Sequence, residues 1–191
     1  MEIRKEYKSS HKTKHELMVQ LSLLAQEKPF NKITVKELCE KANLSRNAYY
    51  CYYNNIDNQL EEIERLTLTE IENVLQRFIN GTFPQNMFSA LESLMDMMIE
   101  WGPLSTLLLE TTTSVSFLDK LKDVINNYFF DYFAQFQPKD FEDVYDFYYA
   151  FVFDGIIDML RLWMQDPTRI TKDRFCKMIY SMLNRLIVFE K

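Results

Sequence analysis

The sequence predicts an all-α protein of about nine helices, and three observations carry that prediction. Only three glycines and five prolines occur in 191 residues, which leaves little material for tight turns. Leu, Met and aromatic residues are abundant, with ten methionines, fifteen phenylalanines and eleven tyrosines. Apolar residues recur at spacings of three and four along most of the chain, the period of a helix with one buried face. A chain of this length holds one large or two small domains with a sizeable core.

Residues 1–10 carry Arg4, Lys5 and Lys8 without apolar periodicity and are expected to form a mobile, solvated arm. From about residue 12 to 26, Leu17, Leu21 and Leu24, flanked by Met18 and Ala25, keep helical spacing until Pro29 stops the run. His11 and His15 lie four apart, yet no third ligand completes a metal site, so none is expected.

Residues 33–55, ITVKELCEKANLSRNAYYCYYNN, read as two short helices set at a tight angle. Thr34 is a good N-cap and Glu37 follows three residues on, the pattern of a reciprocal capping box. Val35, Leu38, Cys39 and Ala42 form the buried face of the first helix, with Lys36, Glu37, Glu40 and Lys41 on the wet side. Asn43 can adopt the left-handed conformation that ends a helix, and Leu44 turns inward. Ser45 caps a second helix running to Tyr52. That helix opens with Arg46 and Asn47, the side-chain types that bond in bidentate fashion to guanine and adenine edges.

This stretch resembles the DNA-binding signature of TetR-type transcriptional repressors. Ile33, Thr34, Val35, Leu38, Ala42, Leu44, Ser45, Tyr50, Tyr53 and Leu60 fall in register with it. It departs from the signature at three places: Asn43 replaces the turn glycine, Ala48 the usual threonine, and Ile56 a common phosphate-binding lysine. The resemblance implies a DNA-binding domain over residues 1–55 and a helical effector-binding and dimerisation domain over 56–191. It implies a DNA interface of Thr34, Lys36, Ser45, Arg46, Asn47, Ala48, Tyr50 and Tyr52.

Past Tyr53 a long helix is expected from Ile56 to Asn80, with Leu60, Ile63, Leu66, Ile71, Val74, Leu75 and Phe78 on its apolar face. At 1.5 Å per residue it spans roughly 35 Å, too long for the head alone. Pro84 begins the next helix, apolar through Met87, Phe88, Leu91, Leu94, Met95, Met98 and Trp101, until Gly102 and Pro103 break it. A short helix over 104–110, a loop over 111–116 and a helix over 117–136 follow. Methionines adapt to varied apolar shapes, and the resemblance implies a small-molecule pocket among these helices. Its candidate lining is Phe88, Leu91, Met95, Met98, Trp101 and Tyr128, with Asp96, Glu100 and Glu110 nearby favouring a neutral or cationic effector.

Residues 141–189 form two helices separated by Asp166, Pro167 and Thr168. Their apolar surface exceeds what one core can use, which predicts self-association as a four-helix bundle. The expected interface is Phe151, Ile156, Leu160, Trp163, Met178 and Met182. The segment FVFDGIIDMLRLWM, 151–164, also resembles the penultimate helix of the dihydroxyacetone-kinase operon activator subgroup.

Charge divides along the chain. Residues 1–60 hold ten Lys or Arg against seven Asp or Glu, a balance of +3, which leaves −9 on the remainder. A mildly basic head suits phosphate, and an acidic body stays off a duplex. No run reaches bilayer-spanning length and no signal-peptide core is present, so a cytoplasmic location is expected. Cys39, Cys51 and Cys176 are read as buried reduced thiols. No glycine-rich phosphate loop or paired nucleophile and base points to an enzyme, and nothing calls for a cofactor. The expected function is a ligand-responsive, homodimeric repressor on a palindromic operator; the competing reading is a helical dimer that binds a small molecule or a protein and no longer binds DNA.

Overall fold

With so few residues able to break a helix, the described residues fold mainly into helices. The computed structural model describes residues 2–79, 85–110, 115–135 and 145–187, with side chains described for 12–78, 86–109, 117–128 and 145–185. Among the described residues the elements are α1 (Glu2–Glu27), a 3-10 turn (Phe30–Lys32), α2 (Val35–Lys41), α3 (Arg46–Tyr50), α4 (Ile56–Ile79), α5 (Gln85–Trp101), α6 (Pro103–Glu110), α7 (Val115–Gln135), α8 (Tyr145–Gln165) and α9 (Lys172–Ile187). The all-α architecture with an N-terminal helix-turn-helix is as predicted. The anticipated stop at Asn80 and Gly81, the start at Pro84, and residues 111–114, 136–144 and Phe189 lie outside the described residues.

One expectation changes at the N-terminus. Helix α1 begins at Glu2, so the stretch anticipated as an arm forms its first turns. Periodicity reports a buried face rather than helicity, and no glycine or proline interrupts residues 2–27.

The chain divides into two compact units, Met1–Thr67 with Trp101–Ser114, and Leu68–Glu100 with Val115–Lys191. This division differs from a boundary after residue 55 for two reasons. Helix α4 contributes its first half to one unit and its second half to the other, and α6 packs on α1. In the first unit the core is built from Leu17, Leu21 and Leu24 of α1, Leu38 and Cys39 of α2, Tyr49 of α3, and Leu60 and Ile63 of α4. A polar group also sits there: Gln59 is fully buried and its amide donates to the Leu17 carbonyl at 2.9 Å. Gly102, at φ 49, supplies the left-handed residue that separates α5 from α6.

In the second unit Met87 and Met95 of α5 pack with Phe175, Cys176, Ile179 and Leu183 of α9. Helix α8 covers this cluster with Val152, Ile156, Met159, Leu160 and Trp163. The indole N–H of Trp163 donates to the Ile170 carbonyl at 3.1 Å, and its ring stacks on Phe175 at 5.6 Å. Lys172 pairs with Asp96 at 2.7 Å, joining the start of α9 to α5. On the outer sides of the α8–α9 hairpin, Phe147, Phe151, Leu162, Met178 and Met182 stay exposed.

Candidate nucleic-acid interface

The α2–α3 segment is held in shape by its own short-range bonds. Thr34 accepts the Glu37 amide at 3.3 Å while the Glu37 carboxylate accepts the Thr34 amide at 3.2 Å, so the expected capping box is present. Glu37 also takes the Lys28 ammonium at 2.5 Å. Bonds from Lys28 and then Thr34 lower its pKa to about 2. Beside this, Lys41 pairs with Glu27, so two ion pairs tie the end of α1 to α2.

The turn is set by Asn43 at φ 52. The Leu44 amide reaches back to the Cys39 carbonyl at 2.9 Å and the Asn43 amide to that of Glu40 at 3.3 Å, the bond pair of a Schellman motif. Asparagine tolerates this conformation where most residues do not, so it stands in for glycine without changing the turn. Ser45 then accepts the Ala48 amide at 3.1 Å and starts α3.

Helix α3 has five residues, ending two residues before the sequence suggested, with Cys51 as its C-cap. Tyr49 is fully buried and its ring lies 5.7 Å from that of buried Tyr53, which fixes one side of the helix to the core. Burial pushes both phenols well above the usual tyrosine range. The opposite side carries exposed Arg46, Asn47 and Tyr50. Ala48 and Tyr52 are half-buried, and Thr34, Lys36 and Ser45 are exposed. The structure thus brings all eight sequence-derived residues onto one contiguous segment whose two helices are capped and whose basic and amide side chains stand free of the core.

Ile56, which replaces the phosphate-binding lysine of the family signature, is buried as the first residue of α4 and works as core. Asn55 caps α4 by accepting the Asn58 amide at 2.7 Å, a role the Asn-Asn pair signalled and the reading passed over. Lys14 of α1 bonds Glu62 of α4 at 2.9 Å and lies 5.5 Å from the Tyr53 ring centroid, bracing the unit from behind. Cys39 and Cys176 are buried as anticipated, but Cys51, the C-cap of α3, is exposed.

The anticipated effector lining is only partly brought together. Phe88, Leu91 and Met98 are half-buried against the cluster that contains Met95. Tyr128 sits on α7, its hydroxyl accepting from Gln76 at 3.1 Å, and Trp101 belongs to the first unit. Asp96 is exposed and paired with Lys172, and Glu100 is exposed; the side chain of Glu110 lies outside those described. A surface depression of about 530 Å³ in the first unit is lined by Leu24, Glu27, Lys28, Glu37, Glu40 and Lys41, none of them among the anticipated six. Of the anticipated self-association residues, Phe151, Met178 and Met182 are exposed, whereas Ile156, Leu160 and Trp163 pack on their own core. Among the described residues no group of three His, Cys, Asp or Glu could hold a metal ion, and no helix is long and apolar enough to cross a membrane.

Known proteins match this architecture. The fatty acid degradation regulator FadR from Bacillus halodurans superimposes with a TM-score of 0.69 at 9% identity, over 92% of this chain and 94% of that one. A TetR transcriptional regulator from Streptococcus agalactiae 2603V gives 0.65 at 19% identity, over 95% and 98%. The dihydroxyacetone kinase operon activator DhaS gives 0.61 at 16% identity, over 94% and 98%. These likenesses concern the fold. No curated protein matches the sequence at a significant level. The family model TetR_C_8, the transcriptional regulator C-terminal region, matches residues 85–185, just over half the chain. On that match, joined to the fold, this chain belongs to the TetR family of transcriptional regulators.

Proposed function

We propose that this regulator works as a homodimer in which each copy sets α3 in a major groove of a palindromic operator, with half-sites one helical turn apart. Arg46 and Asn47 read base edges. Thr34, Lys36, Ser45, Tyr50 and Tyr52 hold phosphates through hydroxyl, ammonium or amide groups, which fixes register and carries little sequence information. Ala48 follows the two readers, and its small side chain lets the helix approach closely. The observation that carries this reading is the exposure of Arg46 and Asn47 on a helix whose other side is anchored by fully buried Tyr49. The division of charge between the basic first sixty residues and the acidic remainder supports it.

The regulator acts as a repressor relieved by a small molecule bound beside α5 and α7 of the second unit. Helix α4 is the carrier of that signal, because one continuous helix belongs to both compact units. The effector acts only through its differential affinity for the bound and released arrangements.

The test is a fluorescence titration of the protein with its own promoter DNA at stated salt. Saturable, sequence-dependent binding is expected. Arg46→Ala is expected to cost about 1–3 kcal/mol and to relax preference at one base pair. Absence of sequence-dependent binding by the wild type, or no loss with Arg46→Ala, favours the second reading, a dimer that binds only small molecules or proteins. The burial of Ile56, where a phosphate-binding lysine is common in the family, is the observation on that side.

A further inference from the structure

Two polar bonds cross from α1 to α4 behind the recognition helix. The Lys14 ammonium donates to both carboxylate oxygens of Glu62, at 2.9 and 3.1 Å, and the Gln59 amide donates to the Leu17 carbonyl at 2.9 Å. Lys14 and Leu17 are three residues apart along α1, and Glu62 and Gln59 are three apart in the opposite sense along α4. The bonds are therefore rungs between antiparallel helices, spaced about 4.5 Å along them. Sliding α4 by one turn breaks both. Leu17 and Gln59 are fully buried, and the side chains of Lys14 and Glu62 are 32% and 23% exposed. Desolvation alone would raise the Glu62 carboxyl; the Lys14 ammonium holds it below its ordinary range instead.

The apolar residues around these rungs, Leu21, Leu24, Leu60 and Ile63, bury area without direction, whereas a hydrogen bond is lost when its atoms move by about an ångström. The rung at Lys14 also touches the anchor of the recognition helix. Its ammonium lies 5.5 Å from the centroid of the Tyr53 ring, and Tyr53 is 2% exposed. The Tyr53 amide donates to the Tyr49 carbonyl at 3.1 Å, and the two rings lie 5.7 Å apart. Tyr49 is the fully buried residue on the side of α3 opposite Arg46 and Asn47. Contacts thus run without a break from Glu62 through Lys14, Tyr53 and Tyr49 to the back of α3. The Lys28–Glu37 and Lys41–Glu27 pairs join α1 to α2; this one joins α1 to α4, the helix that both compact units share.

We infer that Lys14, Glu62 and Gln59 are positioning residues for DNA recognition: they lock the register of α1 on α4 and, through Tyr53, the attitude of α3. Lys14 belongs to the basic head, yet its charge is spent on Glu62 and the Tyr53 ring and not on a phosphate. The inference rests on the DNA-binding reading above and adds how the reading helix is held.

The experiment uses full chains titrated with their own promoter DNA over a range of salt, alongside hydrogen exchange of residues 45–53 read by mass spectrometry without DNA. Circular dichroism confirms helical content. Lys14→Met is expected to bind at least about tenfold more weakly with an unchanged salt slope, and to exchange the 45–53 amides at least about tenfold faster. Lys14→Glu with Glu62→Lys, which restores the pair in reverse, is expected to recover both. Gln59→Leu is expected to weaken DNA binding while stability in urea holds, because an apolar side chain replaces a buried polar one at similar volume. If Lys14→Met lowers the salt slope by about one and leaves exchange as in wild type, Lys14 is a phosphate contact and the inference is overturned. It is overturned equally if the reversed pair recovers nothing or Gln59→Leu binds as wild type does. If wild type shows no sequence-dependent binding, the DNA-binding reading falls, and the exchange of 45–53 in Lys14→Met and in the reversed pair still decides whether the rungs hold α3.

Discussion

The α2–α3 segment and the α8–α9 hairpin are both helix pairs joined by a short turn, and they expose opposite chemistry. The first pair has seven and five residues and leaves Arg46, Asn47 and Lys36 uncovered. The second has twenty-one and sixteen and leaves Phe147 and Phe151 uncovered, 79% and 69% exposed. A short pair cannot hold its shape by burial alone, so side-chain caps and a left-handed turn residue set its geometry. A long pair has area to spare after its own core is filled. The uncovered side chains suit different surfaces: the basic and amide groups of α2–α3 a hydrated, anionic one, and the aromatic groups of α8–α9 an apolar one.

That contrast can be broken most forcefully at the hairpin. Phe151→Asp with Met182→Asp should abolish dimerisation in sedimentation while circular dichroism stays unchanged, since each apolar side chain contributes about 1.5–3 kcal/mol when buried and symmetry counts it twice. A persistent dimer would mean that the exposed residues face water for no purpose of assembly. Next in size is Leu38→Ala. Leu38 is fully buried in α2, and its truncation should cost about 2–5 kcal/mol in urea unfolding and remove DNA binding, with the dimer intact.

A smaller effect compares the two caps directly. Ser45 accepts the Ala48 amide at 3.1 Å and Thr171 accepts the Arg174 amide at 3.3 Å. Replacing either by alanine should cost about 1 kcal/mol. Ser45→Ala should weaken operator binding measurably, because α3 has one turn to lose, while Thr171→Ala should leave sedimentation unaltered. Smallest is the pH effect at Glu37. Its folded pKa of about 2 lies below the ordinary 4.5, so its contribution is present above about pH 4.5 and is lost as pH falls toward 2. Glu37→Gln should flatten the acid side of the stability profile over that window, modestly, because the group is exposed and screened.

The helix-turn-helix was legible because its determinants are local. Thr34 with Glu37, Asn43 and Ser45 each act within five residues, and the chain declares them in order. Other features needed the tertiary structure. An apolar residue at helical spacing shows that a face is buried, without showing against what. Ile156, Leu160 and Trp163 were assigned to a partner and cover their own core, whereas Phe147 and Leu162 were passed over and stand exposed. The start of α1 was obscured because a polar helix has no stripe to read.

The packing of α6 on α1 sets a rule for dissection and for synthesis. The chain leaves the first unit at Thr67 and returns at Trp101, so a truncation after α4 removes a neighbour that α1 is built to cover. On the ribosome the recognition head cannot complete its core when its own three helices have emerged; it waits for α6, by which time α5 has already left the exit tunnel. An autonomous head fragment would need α6 spliced back by a short linker, or polar replacements on the flank of α1 that α6 shields.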